Sequence, residues 1–149
     1  MQTVMTKAKE SEMVWHVLDA SDQVLGRIST KAAGLLMGKN KTCFAPHLDQ
    51  GDGVIIINVE KIRVTGDKMK QKKYKRFSGY PGGLKEEPLE HLLARRPTEV
   101  LRHSIKGMLP KNRLGRLMIK RLKLYAGDKH PHTAQMPPVK AKKEKKESK

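Results

Sequence analysis

The stretch that decides the fold is GDGVIIINV (residues 51–59), in which a turn-forming cluster is followed by an almost unbroken run of β-branched side chains. Such side chains fit the pleated surface of a sheet, so the run predicts a strand over Val54–Val59. Because apolar and polar residues do not alternate, we expect both faces of the strand to be covered, as in the parallel sheets of α/β proteins.

A strand and a helix are predicted before this run. Val14–Asp19 alternates in polarity like a strand. Apolar residues then recur at the helical period over Leu25–Met37, and Gly38 is a typical C-terminal stop. Ser21 and Asp22 are the candidates for the N-cap of this helix. The result is a strand–helix–strand unit.

Shorter elements are predicted after the run. Ile62–Thr65 has the composition of a short strand, Pro88 and Pro97 each begin a helix, and Leu122–Tyr125 alternates like a strand. The order strand, helix, strand, loop, helices, strand argues for one α/β layered domain with a small, mostly parallel sheet.

The first of two acid-free segments lies between Val100 and Gly127 and holds eight basic residues. Asn112 is placed to cap a helix there, and four apolar residues share one helical face, namely Leu114, Leu117, Met118 and Leu122. A helix whose wet face carries only positive charge repels itself. A polyanion would relieve that repulsion, and nucleic acid is the usual one.

The second acid-free segment, Lys68–Arg76, has six basic residues in nine and continues into the glycine-rich sequence 77–83. Glycines let a backbone approach a phosphate closely, and Tyr74, Phe77 and Tyr80 are candidates to stack on bases or riboses. We interpret residues 68–83 as a basic, aromatic loop that contacts nucleic acid.

Overall charge supports the same interpretation. The chain has 149 residues and a formal net charge of +17. Residues 14–138 keep 24 of the 32 basic and 11 of the 15 acidic side chains, so the charge belongs to the folded part. An anionic partner is therefore predicted, whereas the absence of a long apolar run argues against a membrane.

Three regions are predicted along the chain. Residues 1–13 are predicted to be a flexible extension that lacks the apolar segment of a secretory signal peptide. Residues 14–138 are predicted to be the folded domain with an extended C-terminal arm. The Lys-rich residues 139–149 lack apolar area, so we expect them to be disordered and dispensable for thermal stability. Cys43 is the single cysteine, which rules out an intrachain disulfide and fits a reducing compartment.

Patterns for catalysis, metals and cofactors are weak. Cys43 with His47, and His130 with His132, lack the further ligands of a metal site. Three carboxylates, Asp19, Asp49 and Asp52, have no identifiable catalytic partner. No glycine-rich nucleotide motif occurs, and Gly26 is more simply explained by close helix–sheet packing. We predict no enzymatic activity, no cofactor and no small-molecule substrate.

Several segments together resemble one family. They are LDASDQVLGRISTKAAGLLMGKNK, GDGVIIINVEKIRVTGDK, YKRFSGYPGG, GMLPKNRLGRLMIKRLKLYAG and HPHTAQMP, within residues 15–137. These segments are similar to large-subunit ribosomal protein thirteen of the bacterial type. Phe77 and Phe44 depart from the expected His and Tyr. The resemblance implies a three-layer α/β/α domain with about four strands.

The same resemblance implies a structural role in the large subunit of the cytoplasmic ribosome, early in its assembly. The implied partners are large-subunit ribosomal RNA and neighbouring ribosomal proteins, with messenger RNA in feedback regulation as a further one. The contacts with RNA are then expected at basic, hydroxyl and histidine side chains of the domain: Arg27, Lys31, Lys39, Lys41, Lys68, Lys72, Lys73, Lys75, Arg76, Ser78, Tyr80, Lys106, Lys111, Arg113, Arg116, Lys120, Arg121, His130 and His132.

Two other classes of function compete with this one. An RNA-modifying or nucleotide-dependent enzyme would need a cofactor loop or a nucleophile constellation, and neither is visible. A DNA-binding module would need a groove-reading motif and dimer symmetry.

Overall fold

The computed structural model describes residues 13–135, which form five strands and five α-helices. In chain order these are β1 (Trp15–Asp19), α1 (Leu25–Met37), β2 (Gly53–Ile57), α2 (Lys68–Gln71), β3 (Lys73–Phe77), β4 (Leu84–Pro88), α3 (Leu89–Arg95), α4 (Pro97–Met108), α5 (Arg113–Met118) and β5 (Leu122–Leu124). The predictions for residues 1–12 and 136–149 lie outside the described residues.

β2 is the central strand of a three-stranded parallel sheet in the order β1-β2-β5. β3 and β4 form a separate antiparallel pair. The predicted α/β class and mostly parallel sheet are confirmed, with three strands rather than about four in the parallel sheet. The strand predicted at Ile62–Thr65 is reduced to a single parallel bridge between Val24 and Arg63.

The helices pack on the face of the sheet that carries Val54 and Ile56. The connection from β1 to β2 and the connection from β2 to β5 run across the sheet in the same direction. Because parallel strands are joined by right-handed crossovers, the helices of both connections lie on one side of the sheet. The buried cluster there combines Leu18 and Leu122 with apolar residues of α1, α3, α4 and α5, among them Ile28, Leu36, Leu89, Leu101, Ile105 and Met118.

The opposite face carries Trp15 and Ile55. The Trp15 ring lies over Gly53, where a Cβ would be 2.5 Å from the ring, so only glycine fits beneath it. His132, beyond β5, stacks on Trp15 with ring centroids 6.1 Å apart. Ile55 is fully buried, which confirms that both faces of β2 are covered, whereas Ile57 at the strand end is only partly buried.

The bounds of α1 are those predicted, and Gly38 ends it in the left-handed conformation at φ 75°. The predicted N-cap is wrong, because the cap residue is Val24 and no side chain caps the helix. The Ser21 hydroxyl instead donates to Asp19, and the first helical N–H, that of Leu25, donates to the carbonyl of Arg63. Tertiary contact thus replaces a local cap.

The predicted end of the helix after Asn112 and the predicted role of Gly26 are both wrong, although the cap of that helix is right. The helix after Asn112 is capped as predicted, since the Asn112 side chain accepts from the N–H of Gly115 at 2.9 Å. It ends at Met118, however, because Leu122 pairs with Val54 as part of β5, and Leu117 is left 46% exposed. A Cβ on Gly26 would meet nothing within 4 Å, so close packing does not explain that glycine.

Ile55→Ala should lower the free energy of unfolding by about 2–5 kcal/mol, because it removes transfer energy and leaves a cavity on the second face of the sheet. Ile57→Ala, at the partly buried end of the strand, is the matched control and should lower the free energy of unfolding by a smaller amount. Urea denaturation measures both. A loss below about 1 kcal/mol for Ile55→Ala would contradict a closed second face.

Candidate nucleic-acid interface

The segment predicted as a basic loop is a short helix followed by a β-hairpin. On one face of the hairpin, Lys73 and Lys75 both bond to Glu86, at 3.2 Å and 3.0 Å. These bonds, that from Lys75 foremost, lower the pKa of Glu86 below its usual value. The two lysines therefore lie in a partly neutralised cluster, whereas Arg76, Ser78 and Tyr80 farther out are exposed.

Tyr74 anchors the base of the hairpin. Its ring meets that of His103 in α4 edge to face, at 5.1 Å, and the ammonium group of Lys72 lies 5.3 Å from its centroid. Burial raises the pKa of the Tyr74 hydroxyl above its ordinary value. The hairpin is thus fixed against α4, and two of the three predicted stacking residues, Phe77 and Tyr80, remain exposed.

A groove of about 520 Å³ lies between the end of α4 and the start of α5. Lys106, Lys111 and Arg116 line it, together with His103. Gly115 makes the close turn possible, because a Cβ there would be 1.9 Å from the carbonyl oxygen of Pro110. The structure therefore brings together three predicted basic residues from two helices and the intervening loop, while Arg113 is exposed outside the groove lining.

Six further predicted cations lie in three other recesses. Arg27, Lys31 and Lys39 line a shallow groove along the outer face of α1. Lys68 and Lys72 lie beside the end of α4, in a recess that also includes Ser104 and Met108. Lys120 shares a third recess with Arg102 and Lys123, two bases that were not on the predicted list.

Lys41 has a structural contact that the sequence did not predict. Its ammonium group is 2.7 Å from Asp52, which is 1% exposed and also bonds to His16 and the N–H of Val14, each at 3.1 Å. Burial alone would raise the pKa of Asp52, but the bonds from Lys41, Val14 and His16 together lower it. Lys41 is therefore committed to the fold.

Arg121 is committed in the same way. It donates to the carbonyl oxygen of Gly51 at 2.9 Å and forms an ion pair with Asp49. These contacts join the start of β5 to the loop before β2. The carboxylates Asp49 and Asp52 thus have structural partners, so no catalytic role is needed to explain why they are there.

The two predicted histidines belong to an aromatic cluster. His132 stacks on Trp15, and its Nε2 is 2.7 Å from the hydroxyl of Tyr125. The ring of His130 lies 6.3 Å from that of Tyr125. Both histidines are partly buried, so their first role is to hold residues 130–132 against the sheet.

Other kinds of site find no support in the described part of the chain. Residues 13–135 hold no group of three or more His, Cys, Asp or Glu side chains arranged for a metal. None of the helices in this range is long and apolar enough to cross a membrane.

Comparison with known proteins decides the family. The model of the family described as Ribosomal protein L13 matches residues 13–131. The chain belongs to the ribosomal protein L13 family. Large ribosomal subunit protein uL13 of Psychrobacter arcticus is 54% identical over 92% of this chain and 96% of its own length. The uL13 proteins of Syntrophomonas wolfei and Salinispora arenicola are 52% and 55% identical, over 92% of this chain and 95% and 93% of theirs.

Membership of the L13 family makes this chain a structural constituent of the large ribosomal subunit and not an enzyme. Besides Arg102 and Lys123, the residues predicted from the sequence did not include Lys85 in the hairpin or His103 in the groove. Lys85 lies directly opposite Arg76 in the hairpin, and a predicted strand register would have found it. His103 lies one helical turn before Lys106, so the period of α4 was the available signal.

Asp52→Asn should cost about 1–3 kcal/mol at neutral pH, because Lys41 loses a charged partner in a buried place. Since the folded-state pKa of Asp52 is lowered, its contribution is complete above the unfolded value near 3.8 and is lost as the pH falls through the folded pKa.

The difference in unfolding free energy between wild type and Asp52→Asn should therefore be constant at mild pH and shrink in acid. Urea unfolding at several pH values measures it, with the exposed Asp128→Asn as control. A difference that does not change between neutral and acid pH would contradict an ionised Asp52.

Proposed function

We propose that this chain binds large-subunit ribosomal RNA through its exposed basic groups and acts early in subunit assembly. The observation that carries the proposal is the groove of Lys106, Lys111 and Arg116, which gathers three positive charges around one recess. No carboxylate among residues 13–135 forms an ion pair with any of the three. Phosphate groups are the anions that such an arrangement suits.

Continuity of the surface supports the proposal. His103 lines the groove on one side and packs on Tyr74 on the other, so the groove and the hairpin adjoin. A rigid pair of basic elements can hold RNA segments in a fixed relation, which is the property that an assembly protein needs. Neighbouring ribosomal proteins, and messenger RNA in feedback regulation, are further partners under this proposal.

Lys111→Gln combined with Arg116→Gln should weaken binding to a large-subunit ribosomal RNA transcript and flatten its salt dependence. Each lost phosphate contact should reduce the log–log slope by about 0.7–0.9. The matched control is Arg95→Gln with Arg96→Gln, which removes the same charge from residues paired with Glu87 and Glu99. Filter binding over a salt series measures the slopes, and co-sedimentation measures incorporation into assembling large subunits.

Equal salt slopes for the two double variants would leave only a generic electrostatic attraction to RNA. That outcome would contradict a specific role of the groove in binding phosphate groups. Equal competition by duplex DNA would contradict a preference for ribosomal RNA.

A further inference from the structure

The tip of the hairpin exposes three large apolar side chains. Phe77 and Leu84 are directly paired across β3 and β4 and are 65% and 52% exposed. Tyr80, in the turn between them, is 75% exposed. The turn is closed by backbone bonds from Ser78 to Gly83 and from Gly83 to Tyr80, so the rings are held on an ordered scaffold.

The other face of the same hairpin carries an uncompensated pair of cations. Arg76 lies directly opposite Lys85, and like charges in that position destabilise an antiparallel pair. Neither residue forms an ion pair with a carboxylate in the described range 13–135. Lys73 and Lys75 show the contrast, because Glu86 neutralises them in part. An external anion beside Arg76 and Lys85 would remove the repulsion.

Exposed rings at the tip, with unpaired cations on the opposite face of the same hairpin, suit an occupant that can reach both faces. Unpaired nucleotides offer base faces for stacking and phosphates for the cations, whereas a duplex hides the faces of its bases. An apolar protein surface would cover the rings but leave Arg76 and Lys85 without a counter-charge. Charge complementarity therefore favours RNA over protein at this tip.

We propose that the hairpin tip binds unpaired nucleotides of RNA, with Phe77 and Tyr80 stacking on bases and Arg76 and Lys85 neutralising the adjoining phosphates. This inference rests on the proposed function and specifies the RNA structure that one part of the surface recognises.

The test uses the full chain and a single-stranded RNA oligonucleotide that contains 2-aminopurine, compared with the same strand annealed to its complement. Wild type should bind the single strand more tightly and quench its fluorescence. Phe77→Leu and Tyr80→Leu keep an apolar side chain without the ring, and each should weaken binding about tenfold with an unchanged salt slope. Phe77→Tyr, which keeps a ring, and Leu117→Ala, an exposed apolar residue outside the hairpin, should match wild type.

The two proposals fail in different ways. Wild-type affinity in both leucine variants, with a reduced slope in the Lys111 and Arg116 variant, would overturn the stacking site and leave the groove intact. Equal affinity for the annealed duplex would also overturn it. Normal RNA binding with poor incorporation of the leucine variants into large subunits would assign the tip to a protein neighbour. Failure of wild type to bind the oligonucleotide in either form would overturn the stacking site, and failure to bind the ribosomal RNA transcript would overturn the proposed function itself.

Discussion

Asp52 is a carboxylate with almost no access to water, and the fold has to surround it with donors because an unpaired buried charge is costly. The partners of its side chain come from two parts of the chain: the backbone N–H of Val14 and the ring of His16 at the start of β1, and the ammonium group of Lys41 after α1. The N–H of Asp52 itself donates to Leu35 at the end of α1. One residue thereby ties the loop before β2 to the first strand, the first helix and the segment after it.

Arg121 extends this arrangement to the other edge of the sheet. By bonding to Asp49 and the carbonyl of Gly51, it connects the start of β5 to the same loop. Both edge strands are therefore fixed beside β2 by charged contacts made at one end of the sheet. Two of the cations in this highly basic chain are used in this way, and charge alone does not distinguish them from cations that face solvent.

The exposed cations are arranged by the helices and the hairpin. Lys106 and Arg116 meet in one groove because Gly115 allows α5 to start against the carbonyl of Pro110. The hairpin adjoins that groove because Tyr74 is fixed on His103. Burial and aromatic packing thus decide which positive charges become neighbours, and the surface they form has the sign that the proposed ribosomal RNA ligand requires.

The sequence by itself determined the features that depend on residues a few positions apart. The burial of β2, the bounds of α1 with its stop at Gly38, and the cap at Asn112 all follow from local periodicity or a bond over three residues. The helix start at Leu25 did not, because Arg63 supplies its acceptor from a distant loop.

Tertiary structure alone decided which basic and aromatic residues remain available. Lys41 and Arg121 look like the other bases in the sequence, yet each forms an ion pair within the fold. Lys41 pairs with Asp52, and Arg121 pairs with Asp49, which is 72 positions away in the chain. Tyr74 and Phe77 both lie in the same short strand, but only one meets a helix. The physical reason is that burial and ion pairing are set by neighbours in space, and local patterns do not specify which distant residue will arrive beside a given side chain.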